Sequence, residues 1–132
     1  MSYFVVQSDR KQWLRCRPWI EDALPYTKGT HSIEDIEDGI ADGRFVFWAG
    51  NHSAVITEFI HYPKKKVLNY FLFGGRTKEA VRELVKVMEP RITQWAKRHG
   101  CSAVAAASRP GLERIGRRNG FQPAWRVIYK DI

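Results

Sequence analysis

Residues 66–107 constrain the fold more than any other part of this chain. Residues 66–73 (KVLNYFLF) are apolar on both faces apart from Asn69, as a central strand covered on each side should be. After Gly74 and Gly75, residues 77–99 give the longest helical signal. Val81, Leu84, Val85, Met88, Ile92, Trp95 and Ala96 fall at offsets 0, 3, 4, 7, 11, 14 and 15, a single helix face. Pro90 has no N–H for the backbone ladder, so a kink or break is expected over residues 86–90. Gly100 stops the helix, and residues 102–107 (SAVAAA) return as a small-residue strand. Strand, long helix and strand make a crossover, which favours parallel pairing with a right-handed turn.

The elements before this unit read as a strand, two helical pieces and a hairpin. Residues 3–7 (YFVVQ) suit a first strand, and Ser8 or Asp9 can cap the helix after it. Trp13, Cys16, Ile20 and Leu24 recur at helical spacing, with Pro18 expected to divide the stretch in two and Pro25 to end it. Ser32 opens SIEDIEDGIADG, where Ile33, Ile36 and Ile40 mark one face and Ser32 with Asp35 resembles a capping box. Residues 45–48 and 53–61 read as strands joined by a turn at Gly50-Asn51, and residues 62–65 turn the chain into the central strand. Residues 111–119 predict a short basic helix stopped by Gly120, and residues 125–130 a final strand. The order places the chain in the α+β (mixed α/β) class, as one domain over residues 1–132 whose sheet changes from antiparallel to parallel pairing.

At 132 residues the chain can bury enough surface to need no disulfide or metal staple. Cys16 and Cys101 have no CxxC spacing, the histidines have no ligand spacing, and a metal site is not expected. No apolar run reaches membrane-spanning length, no secretion signal is evident at the amino terminus, and a cytoplasmic location is the expectation. Charge is distributed unevenly. Residues 1–66 hold nine Lys/Arg against nine Asp/Glu and residues 67–132 hold thirteen against five, so the net +8 comes from the second half. Glu34, Asp35, Glu37, Asp38 and Asp42 form an acidic cluster, giving a bipolar surface with an anion-attracting and a cation-attracting side.

Two places carry candidate chemistry. Gly74 and Gly75 permit close approach of a ligand to the backbone, and the amides of Arg76, Thr77, Lys78 and Glu79 open the long helix. Those amides and the helix dipole suit a pyrophosphate, with direct charge from Arg76 and Lys78. Alternatively the glycine pair is only a strand-to-helix turn. Glu58 lies on a strand face with Ile56 and Ile60; desolvation there would raise its pKa and suit it to take a proton from an ammonium. A solvated rim position is the competing reading, and His61 and Tyr62 are back-up candidates. His31, His52 and His99 are expected on the surface.

The meander ending in KVLNYFLFGG, the glycine pair opening a long helix, WAKRHGCSAV, and the late helix ending in Asn119-Gly120-Phe121 resemble the GNAT superfamily of acyl-CoA N-acyltransferases. IADGRFVFWAG, AVITEFIHYP and the Lys-rich turn are most similar to short GNAT-like proteins of tailed phages. The resemblance implies a mixed sheet with a parallel strand splayed from it, acetyl-CoA as acyl donor, and an amine-bearing small molecule or protein as acceptor. It implies that Gly74, Gly75, Arg76, Thr77 and Lys78 hold the cofactor, and that Glu58 acts as base, through water. It also implies that Asn69 and Tyr70 hydrogen-bond the acyl carbonyl or pantetheine amides, although core packing is the favoured use of Tyr70. The acidic helix would lie beside the acceptor cleft. The motifs are degenerate: FGGRTKEA does not satisfy Arg/Gln-x-x-Gly-x-Gly/Ala, and Gly116 stands where a general-acid tyrosine is common. A non-catalytic phage or prophage protein, acting in the virion or on a host protein, is the alternative. Nucleic-acid binding through Arg109, Arg114, Arg117, Arg118 and Arg126 ranks third, since no recognised motif accompanies them.

Overall fold

A computed structural model describes residues 9–107, 110–125 and 127–132. The strand expected over residues 3–7, and Arg109 and Arg126, lie outside the described residues. The elements are α1 (Arg10–Ala23), a 3₁₀ turn (Leu24–Thr27), α2 (Ile33–Asp42), β1 (Phe45–Ala49), β2 (Ser53–His61), β3 (Lys66–Gly75), α3 (Thr77–Glu83), a π turn (Leu84–Met88), α4 (Glu89–Arg98), β4 (Ala103–Ala106) and α5 (Pro110–Arg118). The sheet order is β1-β2-β3-β4. The first two pairings are antiparallel, and the crossover returns β4 parallel to β3 as the sequence predicts.

Each helical layer covers one face of this sheet. On one side Trp13, Cys16 and Ile20 of α1 and Ile33, Ile36 and Ile40 of α2 pack on Phe45, Phe47, Ala54, Ile56 and Leu72. Cys16, Ile20 and Ile36 are fully buried, and each such isoleucine contributes about 1.5–3 kcal/mol. On the other side Met88, Ile92 and Ala96 pack on Val46, Trp48, Val55 and Leu68. Asp9 starts α1 by accepting the Gln12 amide at 3.1 Å. Ser32 and Asp35 make the capping box of α2 in both directions.

Two expectations change, and the disturbance expected before Pro90 takes a particular form. Pro18 does not divide α1, which runs unbroken from Arg10 to Ala23. The carbonyl robbed of its partner belongs to Leu14, on the exposed side, while Trp13, Cys16 and Ile20 hold the helix to the sheet from both sides of the proline. At Pro90 the helix does not break either. The Glu89 amide reaches back to the Leu84 carbonyl, and the added residue becomes a π turn. That turn rephases the helix, so the buried face is Ala80, Glu83, Met88, Ile92 and Ala96, and Val81 and Val85 are only half-buried. Finally, the described part of residues 125–130 joins no sheet. Trp125, Val127, Ile128 and Tyr129 are exposed, and the Tyr129 ring meets the Lys28 ammonium at 5.8 Å. Strand propensity needs a ladder partner to be realised, and β4, at four residues, is a short template.

Candidate functional site

The parallel pairing is brief. Val67, Leu68, Asn69 and Tyr70 pair with Ala103 to Ala106, and there the ladder between β3 and β4 ends. β3 itself continues to Gly75. Among the described residues the β4-side edge of β3 is therefore unpaired from Phe71 to Gly75, and the sheet splits. A bulge coincides with the split. Ile56 faces Leu72 and Thr57 faces Tyr70, so Phe71 has no opposite number on β2. The extra residue re-aims side chains at this point, the usual service of a bulge beside a site.

Beyond the split, β3 reaches its glycine pair. A Cβ at Gly74 would collide with the Trp19 carbonyl of α1. Gly75, at φ +153°, lies beneath the His52 carbonyl and against Ala80. These bare steps admit the chain's own backbone, which replaces ligand approach as the reason for glycine here. A second premise needs correction. The Arg76 amide is not unpaired; it donates to the His52 carbonyl at 3.0 Å. The amides that begin the helical rod are those of Thr77, Lys78 and Glu79, which have no intrahelical acceptor, and the N-cap side chain of Arg76 supplies none. Arg76 and Lys78 are exposed beside them.

The turn that covers Gly75 is itself fastened from within. Glu83, 6% exposed, accepts the Asn51 amide at 3.0 Å, the His52 amide at 3.0 Å and the Ser53 hydroxyl at 2.5 Å. Gly50 is obligatory because a Cβ would strike the Glu83 carboxylate. Arg15 adds a bond from α1 to the Gly50 carbonyl at 2.8 Å. Glu83 is off the apolar face of the regular helical period, and the π turn brings it inside.

Glu58 and Asn69 are register partners, and the Asn69 amide donates to Glu58 Oε1 at 3.2 Å. Both are half-buried on the α1/α2 face. Phe45 stands opposite Glu58 on the other side. Tyr70, next to Asn69, must point to the other face, where it packs with the Trp48 and Met88 cluster and meets Phe121 ring to ring at 6.4 Å. Its hydroxyl is buried without a hydrogen-bond partner. Burial, and then the Glu89 carboxylate, push its pKa upward, so it stays a phenol. The structure thus brings Glu58 and Asn69 together and separates Tyr70 from both by the thickness of the sheet.

His31 is the residue that sequence reasoning undervalued. Rather than lying free on the surface it is half-buried, edge-on to Phe71 at 4.7 Å, and Phe71 stacks on Phe45 at 5.3 Å. His61 and Tyr62, the back-up candidates, are exposed at the far end of β2. The acidic helix is partly committed to structure. Asp35 completes the capping box, and Glu37 accepts Trp13 Nε1 at 2.7 Å and Arg17 Nε at 3.2 Å. Asp42 pairs with the Arg44 guanidinium at 2.7 Å, and Glu34 and Asp38 are exposed acids outside these contacts. Among the described residues no group of His, Cys, Asp and Glu is arranged to hold a metal, and no helix is long and apolar enough to cross a membrane.

A mixed sheet of three antiparallel strands and one parallel strand, packed with helices, is also found in solved structures. Aminoglycoside N-acetyltransferase AAC(6')-Iy in complex with CoA superposes with a TM-score of 0.67 at 14% identity, covering 92% of this chain and 87% of that one. The fold is that of the GNAT acetyltransferases. The aminoglycoside acetyltransferase meta-AAC0020 from an uncultured soil metagenomic sample, in complex with sisomicin, gives 0.70 at 10% identity, covering 99% and 93%. The tetramutant of BH1408 protein from Bacillus halodurans gives 0.70 at 9%, with both chains fully covered. No protein-family model matches the sequence, and no curated protein matches it. The GNAT likeness is therefore one of backbone, carried by very different side chains.

Proposed function

We propose that this GNAT-fold chain is an acyl-CoA-dependent N-acyltransferase, with acetyl-CoA as donor and an amine as acceptor. The observation that carries the reading is the edge of β3 from Phe71 to Gly75, unpaired among the described residues, leading straight into the helix whose first-turn amides begin at Thr77. A pantetheine arm carries amides that can pair with such an edge, and a diphosphate suits the helix start flanked by Arg76 and Lys78. Gly74 and Gly75 shape this junction by letting α1 and the β1–β2 turn close on it. The CoA complex of AAC(6')-Iy, on the same fold, supports a ligand of that class. When bound, acyl-CoA supplies a thioester carbonyl activated towards nitrogen.

Glu58, held by Asn69 on the partly open face, accepts the proton that an ammonium must lose before its nitrogen becomes nucleophilic. Tyr70 lies across the sheet from that proton, with its hydroxyl buried among the Trp48 and Met88 cluster; in this reading its part would be a hydrogen bond to a carbonyl of the donor, not the proton transfer. Calorimetry tests the first half of the reading. Acetyl-CoA should give saturable heat below about 1 mM, and Lys78→Glu should weaken it about tenfold; folded protein giving no heat removes the transferase. Glu58→Gln should then lower turnover about 10²-fold with acetyl-CoA binding unchanged.

One observation favours a second reading, a non-catalytic GNAT scaffold acting in a phage virion or on a host protein. Gly116 stands where relatives place an acid, and Phe121 fills the space beside it, 3.4 Å from where a Cβ would be. That reading predicts indifference to Glu58→Gln and co-purification with particles or with one host protein.

A further inference from the structure

The half-buried residues on the α1/α2 face are not scattered. Glu58 faces Phe45 across one ladder and Asn69 across the next. Asn69 and Phe71 lie two apart on β3, and the Phe71 ring stacks on Phe45 at 5.3 Å with 5° between planes. His31, entering α2, closes the group edge-on to Phe71 at 4.7 Å and 6.0 Å from Phe45, with Nδ1 held by the Thr30 hydroxyl at 2.7 Å. A carboxylate tethered by an amide therefore shares a sheet face with a stacked pair of phenyl rings, of which Phe71 is the one that stays accessible. Phe45 is 3% exposed, but Phe71, Glu58, Asn69 and His31 all retain access to water. Phe71 is also the bulged residue, set at the point where the sheet splits.

From this juxtaposition we infer that the chain carries an acceptor subsite for a primary amine with a flat apolar body. Glu58 and Asn69 take the ammonium, Phe71 backed by Phe45 takes the body, and His31 fixes the orientation of the Phe71 ring. The inference rests on the transferase reading for the subsite's use, but the binding itself does not require a donor. A cation beside an aromatic face gains from the ring quadrupole, and more where a carboxylate is adjacent. The chain already uses this attraction at this group: the Arg44 guanidinium lies 6.0 Å from the centre of the Phe45 ring. The exposed acids Glu34 and Asp38 of α2 add a field that draws cations to this side. A half-wetted Phe71 recovers its hydration cost when a flat apolar group covers it. His31 is a positioning residue, so its loss should change the choice among amines more than the affinity for ammonium.

The test is a titration of the whole protein with 2-phenylethylamine in the absence of acyl donor, followed by NMR of the His31 ring and by calorimetry. 2-Phenylethanol and n-hexylamine serve as the uncharged and non-aromatic controls. The amine should bind and shift the His31 signals, with both controls at least about tenfold weaker. Glu58→Gln should abolish the preference for amine over alcohol, Phe71→Leu the preference for phenylethylamine over hexylamine, and His31→Gln should reduce only the latter. Equal binding of the three probes, or no binding by folded protein, overturns the subsite. Acetyl-CoA titrated into the same sample separates the two ideas: donor binding without amine binding refutes the subsite alone, and amine binding without donor binding refutes the transferase alone.

Discussion

Glu58 and Glu83 are carboxylates on the two sides of one sheet, and they illustrate opposite uses of the same group. Glu83 is enclosed and receives two backbone amides and a hydroxyl. Glu58 is half-buried and receives one side-chain amide from Asn69. A buried carboxylate whose oxygens are matched by fixed donors is a structural bolt, since any exchange of its proton or partner strands several groups at once. A carboxylate with a single tether and access to water can exchange both. The fold places its bolt under the β1–β2 turn, and through the His52 carbonyl that turn sets Gly75 and Arg76. The site thus depends on Glu83 for its geometry and on Glu58 for its chemistry.

The sharpest way to break this contrast is to truncate each in turn. Glu83→Ala should cost about 3–5 kcal/mol, because three donors lose their acceptor inside the protein. Glu58→Ala should stay within about 1 kcal/mol. Urea midpoints measured with unchanged slopes would show the difference, and equal losses would mean that Glu58 too is structural. Next in size is Gly75→Ala. Its φ and its contacts with the His52 carbonyl and Ala80 both oppose a Cβ, for a loss of about 2–4 kcal/mol. Gly100→Ala, at φ +81° with open space around it, isolates the conformational share at about 1 kcal/mol.

These sites differ in how far the sequence revealed them. The order of strands, the parallel return of β4, the capping box at Ser32 and the disturbance before Pro90 follow from period, turn residues and local chemistry, all of which act over a few residues. What Glu83 does could not be read that way. Its burial depends on a one-residue rephasing of the helix, and its donors come from a turn some thirty residues upstream. The Phe71 bulge arises from a mismatch between two ladders, a property of neither strand alone. His31 looks like any loop histidine until α2 is laid against β3. The reading of residues 125–130 as a strand failed for a related reason, since pairing is a property of two segments. One signal was available: an aromatic on each of β1 and β3, Phe45 and Phe71, on the face that also carries Glu58.

A smaller effect tests the other half of the comparison, the sealed face. The Tyr70 hydroxyl is buried without a partner, whereas Trp48 Nε1 nearby donates to the Thr57 hydroxyl at 3.0 Å. Removing an unsatisfied group removes its desolvation cost, so Tyr70→Phe should stabilise the protein by about 1 kcal/mol. If that hydroxyl also serves the acyl donor, the same variant should bind acetyl-CoA more weakly. Gain of stability with unchanged binding would leave Tyr70 a core residue and nothing more.

The smallest effect concerns the acids of α2 and has a definite sign with pH. The Ser32 amide, and then its hydroxyl, hold the Asp35 carboxyl below its ordinary range. A group whose pKa is lowered on folding lends stability above its unfolded value, about 3.9, and withdraws it as the pH falls through the folded one. Asp35→Asn should therefore lower the melting temperature slightly at pH 7, and the gap to the wild type should close as the pH falls below about 4. Glu34→Gln, on the same helix but outside the capping box, should show no such convergence and should instead weaken amine binding at low salt. If both variants behave alike, the division of this acidic helix into a structural carboxylate and an attracting one is wrong.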